Sequence, residues 1–201
     1  MADIIDSSGN GYDGQTSGLV RRLYRNSISS AIQLYGDGHI NFENPTGAFD
    51  FSDSDDWSIG CWFKTSNSDR MEIIQKGDTS IPIYHLYIEN GILAYEAGST
   101  SLVLNNIRSN DSFWHLVIVT NDRTSDIARL YYDGVEIKTA NILPNASYVD
   151  PGSSLIAGML FGGSNHFIGG IDNMFIQGRV TTVSEVLDMF NNAVGRSIEA
   201  I

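Results

Sequence analysis

Two β-forming runs and the tight turn after the second constrain this chain more than any other feature. Trp114-His115-Leu116-Val117-Ile118-Val119-Thr120 is aromatic, aliphatic or β-branched apart from its histidine, and Ala128-Arg129-Leu130-Tyr131-Tyr132 is built alike. Such residues suit a pleated surface. A polar gap from Asn121 to Asp126 separates the runs, and Asp133-Gly134 then lies ahead of Val135-Glu136-Ile137. An Asp-Gly pair between apolar-alternating runs predicts a two-residue type I′ hairpin, because Gly accepts positive φ without steric cost. Alternation places Ala128, Leu130 and Tyr132 on one side and Arg129 and Tyr131 on the other. That predicts one buried face and one wet face.

The same reading extends along the chain. Residues 28–42 hold one or two strands around a Gly36-Asp37-Gly38 turn, and 43–56 is an acidic loop read as a solvated linker. In strand 57–64, Trp57, Ile59, Cys61 and Phe63 share one face, while Trp62 points the other way, either as a sugar-stacking platform or beneath the second sheet or a loop. Asn90-Gly91 predicts a second tight hairpin between 83–88 and 92–96, with further strands at 71–78, 101–107, 155–159 and 167–176. One helix is expected over 183–192. Thr182 and Glu185 form its capping box, and Val183, Val186, Leu187 and Phe190 make its apolar face. The segment 196–201 is expected to return as an edge strand or to fray. About a dozen short strands without strand–helix alternation predict an all-β, two-sheet antiparallel sandwich with one short C-terminal helix.

Six fragments in order resemble the laminin-G-like domains of the concanavalin-A-like jelly-roll superfamily. They are Asp-Ser-Ser-Gly-Asn-Gly at 6–11, Trp-Ser-Ile-Gly-Cys-Trp-Phe-Lys at 57–64, Lys-Gly-Asp at 76–78, Trp-His at 114–115, Leu-Tyr-Tyr-Asp-Gly at 130–134 and Phe-Ile-Gly-Gly-Ile-Asp at 167–172. The resemblance covers nearly the whole chain and implies a single domain over 1–201 with a jelly-roll fold. The glycine-rich loop at 6–14 reads by itself either as an Asx/Gly turn or as a seat for a hard cation. The resemblance adds a structural Ca²⁺ held by Asp6, Asn10 and Asp172, with Asn173 standing where relatives commonly carry an acid. It also implies that His115 supports the fold.

Composition narrows the function classes. Twelve Lys and Arg against 24 Asp and Glu give a formal charge of −12, so the positive footprint that nucleic acid or an anionic membrane requires is missing. No apolar run reaches membrane-spanning length. One cysteine excludes an intrachain disulfide, and Cys61 reads as a buried thiol. The Glu-x-Asp-x-Glu alternation that would put paired acids on one strand face is absent; Glu72, Glu89 and Glu96 stand isolated. No Ser or Cys joins the histidines in a triad pattern. The chain is therefore read as a non-catalytic recognition module for a glycan or protein surface. Tyr12, Trp62, Tyr84, Tyr95 and Tyr131 are the candidate stacking rings. Its expected setting is extracellular or the surface of a bacteriophage virion, among other virion proteins. The alternatives are a structural virion protein of capsid or tail, or an accessory domain of a larger secreted carbohydrate-active enzyme.

Overall fold

The computed structural model describes residues 4–5, 7, 10–24, 30–43, 47–77, 82–143, 147–150 and 152–198. The strands begin with β1 (Gly14–Ser17), β2 (Val20–Tyr24), β3 (Ser30–Tyr35), β4 (His39–Phe42) and β5 (Trp57–Lys64). They continue with β6 (Met71–Lys76), β7 (Tyr84–Glu89), β8 (Ile92–Ala97), β9 (Thr100–Val103) and β10 (His115–Asp122). The chain closes with β11 (Ile127–Tyr132), β12 (Val135–Asn141), β13 (Leu155–Ala157), β14 (Ile168–Gln177) and helix α1 (Val183–Ile198). Two seven-stranded sheets result: β1-β4-β13-β6-β7-β8-β9 and β12-β11-β10-β5-β14-β3-β2. The pairings between these strands are all antiparallel.

Period-2 alternation builds the core between the sheets. Ile59, Cys61, Phe63, Val117, Val119 and Leu130 of the second sheet face Ile73, Ile74, Leu86, Ile88 and Leu93 of the first, all fully buried. Trp57 anchors one end of this layer, stacked on Phe51 at 4.5 Å and tilted against Tyr84 at 4.7 Å. Both expected tight hairpins form. Asp133 and Gly134 have φ of 49° and 83°, and Asn90 and Gly91 have 53° and 74°. Positive φ at both central residues is the type I′ geometry, whose twist matches that of the flanking strands.

Four local readings are corrected. Residues 14–24, to which the sequence assigns no strand, form β1 and β2. Both stand last in their sheets, where small or charged residues suffice because a full strand pairs on one side only; on its other side β1 has the isolated Ile4–Gly14 bridge. The loop 43–56 is not simply a solvated linker among its described residues. The Asp50 side chain is 7% exposed and pairs at 3.1 Å with Lys76, itself fully buried. The Lys76 ammonium also donates to the Asp150 carbonyl at 2.9 Å and the Ser153 carbonyl at 3.0 Å, so it is satisfied as a buried charge must be. The second face of β11 is not wet, since Tyr131 is 4% exposed. The helix runs to Ile198 rather than stopping at 192, so 196–198 are helical and 199–201 lie outside the described residues.

Helix α1 explains the covered face. Its capping box forms as expected: Glu185 accepts from the Thr182 amide at 2.8 Å, and the Glu185 amide donates to Thr182 Oγ1 at 3.3 Å. Val186, Met189 and Phe190, at i, i+3 and i+4, pack onto Trp62, Leu116, Ile118 and Tyr131 of the second sheet. Phe190 stacks on the Trp62 indole at 6.0 Å. Val183 and Leu187, expected on this face, are instead 55% and 43% exposed.

Candidate functional site

Among the described residues no such helix lies over the outer face of the first sheet, and its centre is polar. Strand register sets Asn41, Ile156, Gln75, His85 and Glu96 side by side as successive cross-strand neighbours on β4, β13, β6, β7 and β8. A second row places Glu72 beside Tyr87. Glu72 and Gln75 are three residues apart, so a regular strand would turn them to opposite faces. The register shift between Glu72 and Ile74 is a bulge that turns both outward and leaves Ile73 and Ile74 in the core.

The half of this face on β6–β8 is, apart from Gln75, a closed network. His85 Nδ1 lies 2.9 Å from Glu72 Oε2, and its Nε2 lies 3.3 Å from Glu96 Oε2. Tyr87 Oη donates to Glu96 Oε1 at 2.9 Å, and the Tyr87 ring stacks on His85 at 4.6 Å. Burial, then the bond to Glu96, raises the Tyr87 pKa, so the phenol stays protonated. Arg70 sits 4.3 Å over the Tyr87 ring and 3.5 Å from Glu72 Oε1. The Glu72 side chain is fully buried, whereas those of Glu96 and Arg70 are 42% and 36% exposed. The arrangement is a rigid floor with a charged rim: two carboxylates, a cation and an imidazole, each held by its neighbours.

The other half lies on β4, β13 and the segment after β13. His39 and Asn41 share the outer side of β4, and the His166 ring is 6.5 Å from that of His39. Burial, and next the neighbouring His166, lowers the His39 pKa below 6.5, which favours the neutral imidazole at pH 7. Phe161, on the same segment as His166, is 41% exposed.

Sequence reading does not find this face. It treats Glu72 and Glu96 as isolated, and only the β6-β7-β8 register brings both onto one histidine. The available signal is the doubled Ile73-Ile74, which marks the bulge. Of the expected stacking rings, Tyr84 and Tyr95 are fully buried in the core, while Trp62 and Tyr131 lie under α1. These four cannot meet a sugar. Tyr12 is half-buried against Phe49 at 5.4 Å.

Of the implied calcium ligands, Asp6 lies outside the described residues and Asn10 is exposed ahead of β1. Asp172 is 7% exposed on β14, and its Oδ1 accepts from the Asn173 amide at 2.9 Å. Burial first, then the Asp172 charge, raises the Cys61 thiol pKa, which fits a structural thiol. Among the described residues, no group of three or more His, Cys, Asp or Glu is placed to hold a metal.

At the start of β10, His115 Nδ1 lies 2.7 Å from Asp133 Oδ2 and its Nε2 2.9 Å from Asp111 Oδ1. Asp133 Oδ1 also accepts from the Leu116 amide at 2.9 Å. Trp-His and Asp-Gly, far apart in sequence, thus lock one corner of the fold.

Two antiparallel sheets around one core, with a helix on one outer face and a polar network on the other, define a jelly-roll β-sandwich. The chain belongs to the concanavalin A-like lectin/glucanases superfamily, whose family model matches residues 34–187. No curated protein matches the sequence. Among solved structures, the chain is similar to the binding domain of Paraclostridial Mosquitocidal Protein 1, with TM-score 0.76 and 17% identity over 94% of this chain and 49% of that one. The receptor binding domain of botulinum neurotoxin mosaic serotype C/D gives TM-score 0.73 and 16% identity over 94% and 48%. Domain 4 of an extracellular arabinanase from Geobacillus stearothermophilus, in complex with arabinotriose, gives 0.69 and 19% over 93% and 92%. The chain therefore spans about half of each toxin binding domain and nearly all of the arabinanase domain.

Proposed function

We propose that this protein is a non-catalytic recognition module that takes a glycan or a protein surface on the outer face of its first sheet. The observation that carries this reading is the network of Arg70, Glu72, His85, Tyr87 and Glu96, held on strands and, among the described residues, without the helical cover that the opposite sheet has. Polar groups fixed by their neighbours suit recognition, because little order is lost on binding. Both Glu72 oxygens are engaged, by Arg70 and His85, and the side chain is fully buried, which argues against a proton-transfer role. The similar folds add support, since one is a receptor binding domain and another was solved with arabinotriose.

The test is a glycan array and a surface-protein pull-down with the parent chain, Glu96→Ala and Arg70→Ala. Either rim substitution is expected to weaken capture tenfold or more while leaving the melting temperature within a few degrees. Capture that is undiminished in both variants overturns the assignment to this face. An extracellular or virion-surface setting belongs to the same proposal, and a fixed copy number in purified particles tests the virion case.

A structural calcium at Asp6, Asn10 and Asp172 is a separate proposal, supported by the family resemblance and the carboxylate of Asp172. Calcium is expected to raise the melting temperature in the parent and not in Asp172→Ala. Equal melting in calcium and in chelator ends it.

A further inference from the structure

The two halves of the outer face differ in one respect that bears on the ligand's chemistry. In the charged half, Arg70, Glu72, His85, Tyr87 and Glu96 answer one another. In the neutral half, four buried side-chain atoms have no hydrogen-bond partner among the described residues: His39 Nδ1, Asn41 Oδ1, Gln75 Oε1 and His166 Nδ1. Gln75 is fully buried, and its Nε2 is spent on the Gly77 carbonyl at 3.1 Å, so its free oxygen has no second conformation to offer without breaking that bond. Six further buried atoms, on Trp57, Thr100, Ser109, Thr120, Tyr132 and Tyr148, are also without a partner among the described residues; the four here differ in lying together on an outer face, where a partner from outside the chain can complete them.

Their spacing gives a footprint. Asn41 and Gln75 flank Ile156 in one cross-strand row, two strand spacings or about 10 Å apart. His39 and Asn41 are two residues apart on β4, or about 7 Å. The area matches one or two sugar rings. Ile156, 4% exposed at its centre, provides an apolar floor for C–H groups between the polar atoms. The open groups are amide oxygens and imidazoles, which exchange hydrogen bonds with hydroxyls without needing a charge. Arg70, the cation on this face, is already engaged by Glu72, Glu89 and the Tyr87 ring, so it does not stand free for an anion. The part-exposed carboxylate of Glu96 on the same row and a formal charge of −12 oppose acidic sugars.

We infer that His39, Asn41, Gln75 and His166 form a subsite for an uncharged sugar unit, with Ile156 as its floor. This rests on the reading of the outer face as the binding face, and it narrows the ligand to neutral glycans. The test is calorimetric titration of the parent, Asn41→Ala and His166→Ala with arabinotriose, cellotriose and sialyllactose. Amide shifts of the parent are mapped by NMR in parallel, so the result does not depend on the variants alone. At least one neutral trisaccharide is expected to bind and to move amides at 39–41, 75 and 166. Each substitution, removing one hydrogen-bonding group, is expected to weaken it about tenfold, and sialyllactose is expected to bind more weakly still. Unchanged affinity in both variants, or shifts that spare 39–41 and 166, overturns the neutral subsite and leaves the outer face as the binding face. Tighter binding of sialyllactose, or no binding of either neutral sugar, also overturns it. Loss of every ligand's dependence on Arg70 and Glu96 as well removes the broader reading.

Discussion

The outer faces of the two sheets have opposite fates. On the second sheet, Trp62, Leu116, Ile118 and Tyr131 point away from the main core, and helix α1 seals them with Val186, Met189 and Phe190. On the first sheet, Glu72, Gln75, His85 and Tyr87 occupy the equivalent outward positions and are buried, with His85 bonded to Glu72 and Tyr87 to Glu96. The first arrangement is a second small core, held by area removed from water. The other is a polar layer, in which Glu72, His85, Tyr87 and Glu96 hold one another by hydrogen bonds. The difference teaches which face is committed to folding and which the proposal assigns to a ligand.

The largest expected effect breaks the apolar face. Trp62→Ala removes the surface on which Phe190 stacks, and burial of this kind is worth about 3–5 kcal/mol. Urea unfolding should show that loss together with reduced helical signal, and glycan capture should fall only as the folded fraction does. A stability change under 1 kcal/mol would show that α1 does not seal this sheet.

A smaller effect sharpens the contrast from the polar side. Glu72→Ala leaves Arg70 without one partner and His85 Nδ1 without any carboxylate, and should cost about 2–3 kcal/mol. Glu96→Ala, at the part-exposed rim, should cost under about 1 kcal/mol. Equal costs for the two would mean that the floor and the rim are not distinct.

The smallest effect belongs to neither face and serves as their reference. Burial alone would lower the His115 pKa, but hydrogen bonds to Asp133 and Asp111 and their charges outweigh it, and the net shift is upward from 6.5. A raised folded pKa means that the contribution is fully present below pH 6.5 and fades as pH rises through the higher folded value. Unfolding free energy measured from pH 6 to pH 9 should therefore decline, and His115→Gln should flatten this component. A profile identical in parent and variant would show that the Asp111–His115–Asp133 corner does not titrate with folding.

How much was legible beforehand follows from the range of the interactions. Asp133-Gly134 and Asn90-Gly91 announce their turns because positive φ is a property of two adjacent residues. Trp57, Ile59, Cys61 and Phe63 announce the core because alternation is local too. Strands β1 and β2 were not legible, because an edge strand carrying Gly14, Arg21 and Arg22 shows little apolar alternation. The solvent side of a strand was equally closed to reading. Tyr131 and Trp62 look like rings available to a ligand until the helix from Val183 is placed over them.

The sequence by itself determined two pleated layers, their tight bends, the capped helix and an acidic chain with one buried thiol, since each depends on neighbours a few residues away. Only the tertiary structure decided which outward face is sealed and which stays polar. Glu72, His85 and Glu96 come from three strands and meet through a single bulge, and His39 meets His166 across 127 positions (166 minus 39). A one-residue change of register would turn those side chains to the opposite face, so no local pattern can specify the site.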